Sequence, residues 1–144
     1  MNILAAESGG KLIAASNMNF QYLIDGKSGE AGQAAEVQPG QEGIFGFHDG
    51  KTAVMTKISL PVFEASPYNC KTIEFYASET TPTGPYTKVG AFEATNMVFA
   101  GNPYQEYTFE KPVKAKYFKV KVIDTYGNWA CHFYELQAYG TFEE

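Results

Sequence analysis

The 144-residue sequence predicts an all-β domain, an antiparallel sandwich or jelly roll of about eight strands, and three observations carry the prediction. Eleven phenylalanines and ten tyrosines sit among abundant Val, Ile and Thr, residue types that fit a pleated, half-buried surface. Short apolar segments alternate with period two, and none keeps a helical period for long. Clusters of Gly, Pro, Asn and Asp separate these segments at the spacing of a sandwich or jelly roll. A chain of this length fits one domain, spanning 1–144, that buries roughly 68–70% of its unfolded surface; it reads equally as a domain cut from a longer protein.

The strands follow in order. "KLIAAS" (11–16) and "GIFGFH" (43–48) are short apolar runs, and between them 27–43 is small, polar and glycine-rich, the composition of a long loop. In "TAVMTKISL" (52–60) Val54, Ile58 and Leu60 share one face while Lys57 and Ser59 face outward. "KTIEFYAS" (71–78) alternates cleanly, with Ile73, Phe75 and Ala77 opposite Thr72, Glu74, Tyr76 and Ser78. "TKVGAFEA" (87–94), "QEYTFE" (105–110), "YFKVKV" (117–122) and "FYELQAY" (133–139) complete the set. "HDGK", "TTPTGPY", "AGNPY" and "EKPVK" are the turns between strands.

Charge narrows the function classes. The formal charge is −5, and all eleven basic residues are lysines. Without arginine there is no bidentate reader of phosphates or guanine edges, which argues against a nucleic-acid partner. Five lysines fall between 111 and 121, but Lys119 and Lys121 alternate with Phe118, Val120 and Val122 and so decorate a solvent face. No apolar run approaches the ~20 residues of a membrane span, and "MNILAAESGG" lacks the regions of a signal peptide.

Catalytic signatures are missing from the sequence. "DGKSG" (25–29) ends like a phosphate loop, but the pattern needs a glycine where Gln21 stands. There is no Gly-x-Ser-x-Gly, His-Glu-x-x-His or Cys-x-x-Cys, so the expectation is a binding domain and not an enzyme. Pairing of the strands at 73–79 and 117–122 would bring Cys70 near the 124–132 loop and Cys131. A disulfide and two separate buried thiols are both compatible with that placement.

The segments "NILAAESGGKLIAASN", "YLIDGK", "IEFYASETTPTGPYTKVGAFEA", "YTFEKPVKAKYFKVKV" and "YELQAYG" cover nearly the whole chain. In that order they resemble the discoidin family, the coagulation factor 5/8 type C domains within the galactose-binding-like jelly rolls. "LIDG", "KAKYFKVKV" and "YELQAYG" are the most specific matches, and the chain looks most like bacterial carbohydrate-binding modules and surface-protein domains. The resemblance implies an extracellular or cell-surface setting. It also implies a structural calcium ion held by Asp25 and Glu135, with backbone carbonyls around 23–28 and near Tyr134, and with bends at Gly26 and Gly29. The alternative is a plain Asp-Gly turn and a solvent-facing Glu135. Where the family continues with Thr or Ser and then Trp, this chain follows Ser28 with an alanine- and glutamine-rich loop.

In sugar-binding members the ligand meets loops at one end of the sandwich, here "VFEASPYNC" and "DTYGNWACHF". They supply Glu64, Tyr68 and Asn69 from one side and Tyr126, Asn128, Trp129 and His132 from the other. An aromatic face stacks on the apolar face of a pyranose while amides, carboxylates and imidazole meet its hydroxyls. The competing role for Trp129 is an aromatic lid on the barrel end, with His132 capping a strand. Phe20 or Met18 of "NMNFQY" is expected to add to the rim. The galactose binders commonly present an arginine, so galactose specificity does not carry over. The expected partner is a carbohydrate or glycoconjugate. The rival is a protein-interaction or cell-adhesion role for the same loops. The polar, lysine-poor loops weigh against membrane insertion.

Overall fold

A computed structural model of the chain describes residues 1–27 and 34–143. Among them ten strands alternate with three short 3-10 turns: β1 (Lys11–Ala15), β2 (Ala35–Val37), β3 (Glu42–Gly46), β4 (Ala53–Pro61), β5 (Cys70–Ser78), β6 (Thr87–Glu93), β7 (Tyr104–Ala115), β8 (Tyr117–Thr125), β9 (Cys131–Phe133) and β10 (Gln137–Phe142). A five-stranded sheet runs β1-β3-β8-β5-β6, and a three-stranded sheet runs β10-β4-β7. A short β2-β9 pair makes the third sheet, and every pairing is antiparallel.

The sheets bury their apolar faces against each other. Phe75 of β5 stacks on Phe118 of β8 at 5.6 Å, and Phe109 of β7 meets Phe75 edge-on at 6.0 Å. Phe45, Ile58, Ile73, Val120, Val122 and Leu136 fill the layer around them. In β8 the alternation holds: Phe118, Val120 and Val122 are buried, while Lys119 reaches outward to Glu42 at 3.4 Å and over the Tyr86 ring at 4.3 Å. Removing a core aromatic such as Phe118 would cost about 3–5 kcal/mol.

Four sequence expectations need correction. In β4 it is Ala53 and Met55 that face inward ahead of Ile58, with Val54 only half-buried, because an irregularity between Met55 and Lys57 shifts the inward face by one residue. The predicted turn "EKPVK" lies inside β7. There Thr108 pairs with Lys57 and Val113 with Met55, so residues 109–112 bulge against Thr56 alone. Pro112 has no N–H to continue the ladder. The closing segment is broken: β9 ends at Phe133 and β10 begins at Gln137, leaving Tyr134–Leu136 outside both strands. The long loop at 27–43 contains β2. Ser28 and Gly29, named with the calcium ligands, lie outside the described residues.

Register fixes the two ends of the sandwich. Cys70 at the start of β5 faces Thr125 at the end of β8, and Ser78 faces Tyr117. The loops 62–69, 94–103 and 126–130 therefore share the upper end with the 3-10 turn Met18–Ile24.

Candidate binding rim

The upper end is built by backbone before any side chain reaches solvent. Tyr126 N–H donates to the Asn69 carbonyl at 3.1 Å, Asn128 N–H to the Pro67 carbonyl at 3.1 Å, and His132 N–H to the Tyr68 carbonyl at 2.7 Å. These three bonds lace loop 62–69 to the segment 126–132. Within that segment the Thr125 hydroxyl donates to the Asn128 carbonyl at 2.5 Å and the Asn128 amide to the Ala130 carbonyl at 2.9 Å. Gly127 sits at φ +129°, a conformation a side chain would resist, and lets the turn close.

This frame pushes Trp129 outward until it is 65% exposed, so the indole is a projecting face and not a lid. On the same laced segments the rings of Tyr68 and His132 stack at 4.6 Å, inclined by 24°. Glu36 faces His132 across the β2-β9 pair, its carboxylate 3.4 Å from the imidazole Nε2. The amides of Asn17 and Asn19 both donate to the Glu36 carbonyl at 3.1 Å, and between them Met18 is exposed. Phe20, one turn on, is fully buried and belongs to the core, not to the rim.

The seven predicted contact residues divide in two. Trp129, Tyr68, His132 and Glu64 present side chains to solvent or half to it. Asn69, Tyr126 and Asn128 are spent on the frame. Asn69 is 8% exposed, and its amide donates to the Glu64 carbonyl at 2.7 Å and to Asn96 Oδ1 at 2.8 Å. The Tyr126 hydroxyl donates to the Ala94 carbonyl, and Lys71 lies 5.7 Å over its ring.

Two contributors escaped the sequence reading. Glu36 enters only because three-residue strands far apart in sequence pair, a pattern too short to see locally. The other is loop 94–103, whose tip carries Met97, Val98 and Phe99 at 49, 45 and 46% exposure. It is tied to loop 62–69 by Asn96 Oδ1, which accepts from Ser66 N–H at 2.9 Å. The apolar run Met97–Ala100 ahead of Gly101-Asn102-Pro103 was the available signal.

Below the rim Asp25 and Glu135 come together. Glu135 is 3% exposed, and its Oε1 has no hydrogen-bond partner. Burial pushes its pKa to about 8, the Asp25 carboxylate adds to the rise, and the Gly26 N–H opposes it. Asp25 itself accepts from Lys27 N–H at 2.9 Å. A solvent-facing Glu135 is thereby ruled out.

Residues 49–142 match the Sad1/UNC-like C-terminal family, about two thirds of the chain. The chain belongs to that family. No curated protein matches this Sad1/UNC-like domain. Among solved structures it is similar to the family 32 carbohydrate-binding module of Streptococcus pneumoniae EndoD, with TM-score 0.76 and 12% identity over 98% of this chain and 100% of that one. It is also similar to the family 32 module of C. perfringens NanJ in complex with galactose (TM-score 0.61, 18% identity, 90% of both chains). A third likeness is to an F5/8 type C domain from Bacteroides fragilis (TM-score 0.69, 17% identity, 94% and 93% covered). At these identities the likeness establishes the fold, which is the discoidin-like jelly roll that the sequence resemblance implied.

The Sad1/UNC-like domain keeps its two cysteines as free thiols, both buried, so the bridge considered from sequence is not formed. Burial raises the Cys70 thiol well above its ordinary pKa, and the neighbouring Cys131 adds to the rise. No grouping of three or more His, Cys, Asp or Glu suited to a metal occurs among the described residues. No helix among them is long and apolar enough to cross a membrane.

Proposed function

We propose that this domain is a non-catalytic carbohydrate-binding module that reads glycans on an extracellular surface through its upper rim. The observation that carries the proposal is the stacked Tyr68–His132 pair, with the Glu36 carboxylate on one flank and the projecting Trp129 nearby. Trp129 offers a flat apolar face to a pyranose ring, while the His132 imidazole and the Glu36 carboxylate exchange hydrogen bonds with its hydroxyls. The cavity at Asn69 and His132, between the two predicted loops, is about 10 Å³, so a sugar would lie on the rim and not inside it. Such a shallow site binds weakly, and a tethered module works by raising local concentration.

Calcium fits the residues beneath. An orphaned, buried carboxylate oxygen beside a second carboxylate is the hard-oxygen chemistry that this ion takes, with carbonyls or water completing the shell. Asp25 and Glu135 would hold it, and its charge would fix the turn after Ile24 against the segment that leads into β10. The test is a glycan array run with the intact domain in calcium and in chelator, beside Trp129→Ala. Binding to a defined sugar class that vanishes in Trp129→Ala while the fold survives supports the reading. Silence across the array with an intact fold overturns it.

A second reading has its own observation. Met97, Val98 and Phe99 project from the same end, and exposed apolar side chains anchor protein partners as readily as sugars. Co-purification of a protein that Met97→Ser/Phe99→Ser no longer retains would favour it.

A further inference from the structure

The two sheets leave a gap between β6 and β7, each the edge of its own sheet. Gly90 lets the Tyr107 hydroxyl pack into it: a Cβ at residue 90 would lie 2.5 Å from that oxygen. The β6 residues on either side of Gly90 line two separate cavities. The lower, about 790 Å³, is edged by Lys88, Lys111 and Lys114 together with Glu79 and Glu110. The upper, about 420 Å³, has a different chemistry. Phe92, Phe99 and Tyr104 supply aromatic surface, Glu93 and Glu106 supply carboxylates from the two facing edges, and no lysine lines it.

The upper cavity is held open by a buried side chain. Gln105 is 7% exposed, and its amide donates to the carbonyls of Thr95 at 2.7 Å and Met97 at 3.3 Å while its oxygen accepts from Thr95 N–H at 2.8 Å. Those three bonds fix the start of loop 94–103 and hence the approach to Phe99. Glu106 is already matched by Lys57 at 2.8 Å. Glu93 is exposed and has no ion-pair partner among the described residues. A cation entering here would meet a carboxylate and an aromatic face together, two attractions that reinforce each other.

We propose that the cavity between the Glu93 and Glu106 ends of β6 and β7 is a second binding site, adjoining the rim through Phe99 but apart from Trp129, Tyr68 and His132, for a small organic ammonium such as the protonated amine of an amino sugar. Glu93 pairs with the ammonium, Phe99 lies against its carbon frame, and Asn102 at the mouth meets a hydroxyl. A neutral or N-acetylated sugar lacks the charge that this site recognises, and an acidic sugar is repelled.

The experiment is an amide NMR titration of the domain with D-glucosamine at pH 6, where its amine is protonated, against N-acetylglucosamine and glucose at equal ionic strength. Glucosamine is expected to move the signals of Thr95, Asn102 and the Gln105 side chain. The Trp129 indole should stay still, and the effect should weaken about two- to fivefold in Glu93→Gln. Glu93 is exposed, so that variant keeps its fold, and an unchanged amide spectrum checks this. Equal movement with N-acetylglucosamine, or undiminished binding by Glu93→Gln, overturns the proposal. So does movement confined to Trp129 and His132, an outcome that would leave the rim reading standing.

Discussion

Replacing Glu135 by glutamine should stabilise the calcium-free domain and flatten its response to pH. A glutamate ordinarily ionises near 4.5, whereas in the folded chain burial and Asp25 hold Glu135 protonated up to about 8. Below pH 4.5 both folded and unfolded chains carry the proton and nothing is lost. As pH rises beyond that, only the unfolded chain ionises freely, at about 1.4 kcal/mol per pH unit, so folding has lost about 3 kcal/mol by pH 7 and levels off above 8. Glutamine removes this penalty, and about 3 kcal/mol corresponds to roughly 6–12 °C in Tm for a domain near this size. The assay is a set of thermal melts from pH 5 to 8 in chelator for both proteins, repeated in calcium. The parent Tm should fall with pH in chelator, Glu135→Gln should hold level, and calcium should lift only the parent, by about 2.7 kcal/mol at a hundredfold excess over Kd. A parent Tm that rises between pH 5 and 8 in chelator, or a variant that melts lower at pH 8, would refute the reasoning.

Four further outcomes are expected. Trp129→Ala should shift Tm by no more than about a degree, since the indole is mostly in water, yet abolish glycan binding; Asn69→Ala should cost about 1–3 kcal/mol by orphaning the Glu64 carbonyl and Asn96, as denaturant melts will show. The native thiols should resist a chromogenic disulfide reagent and both should react once guanidinium unfolds the chain; immediate native reaction would contradict their burial. Gly90→Ala should lower stability by about 1–3 kcal/mol, because the new methyl displaces the Tyr107 hydroxyl.

Much of this architecture is visible in local patterning. Clean alternation in β5 and β8 revealed both the strands and their inward faces, since a period of two leaves no other way to bury Ile73 and Phe75 or Phe118 and Val120. It fails in β4 and β7. In β4 one bulge displaced the inward face, and in β7 a proline marked a bulge and not an end. The rim was half legible. Trp129, Tyr68 and His132 stood out as aromatic and imidazole groups on turn-rich segments, but Asn69 and Tyr126 looked the same from sequence and proved to be scaffold. Which polar side chain faces water depends on hydrogen bonds to Ala94 and Asn96, from a loop no local pattern links to them. Glu36 depended on the β2-β9 pairing in the same way.

Asn96 receives both the Asn69 amide and the Ser66 N–H, and Tyr126 gives its N–H to the Asn69 carbonyl and its hydroxyl to the Ala94 carbonyl, so three segments separated by tens of residues share one small polar knot. Anyone redesigning this end for a new ligand inherits that knot. Grafting a single loop from another domain would cut it and leave the other two to settle in new positions. Transplanting 62–69, 94–103 and 126–132 together, with Asn69 and Asn96 retained, would move the surface as one cassette. Diversity could then be confined to outward positions such as 64, 68, 97, 99 and 129.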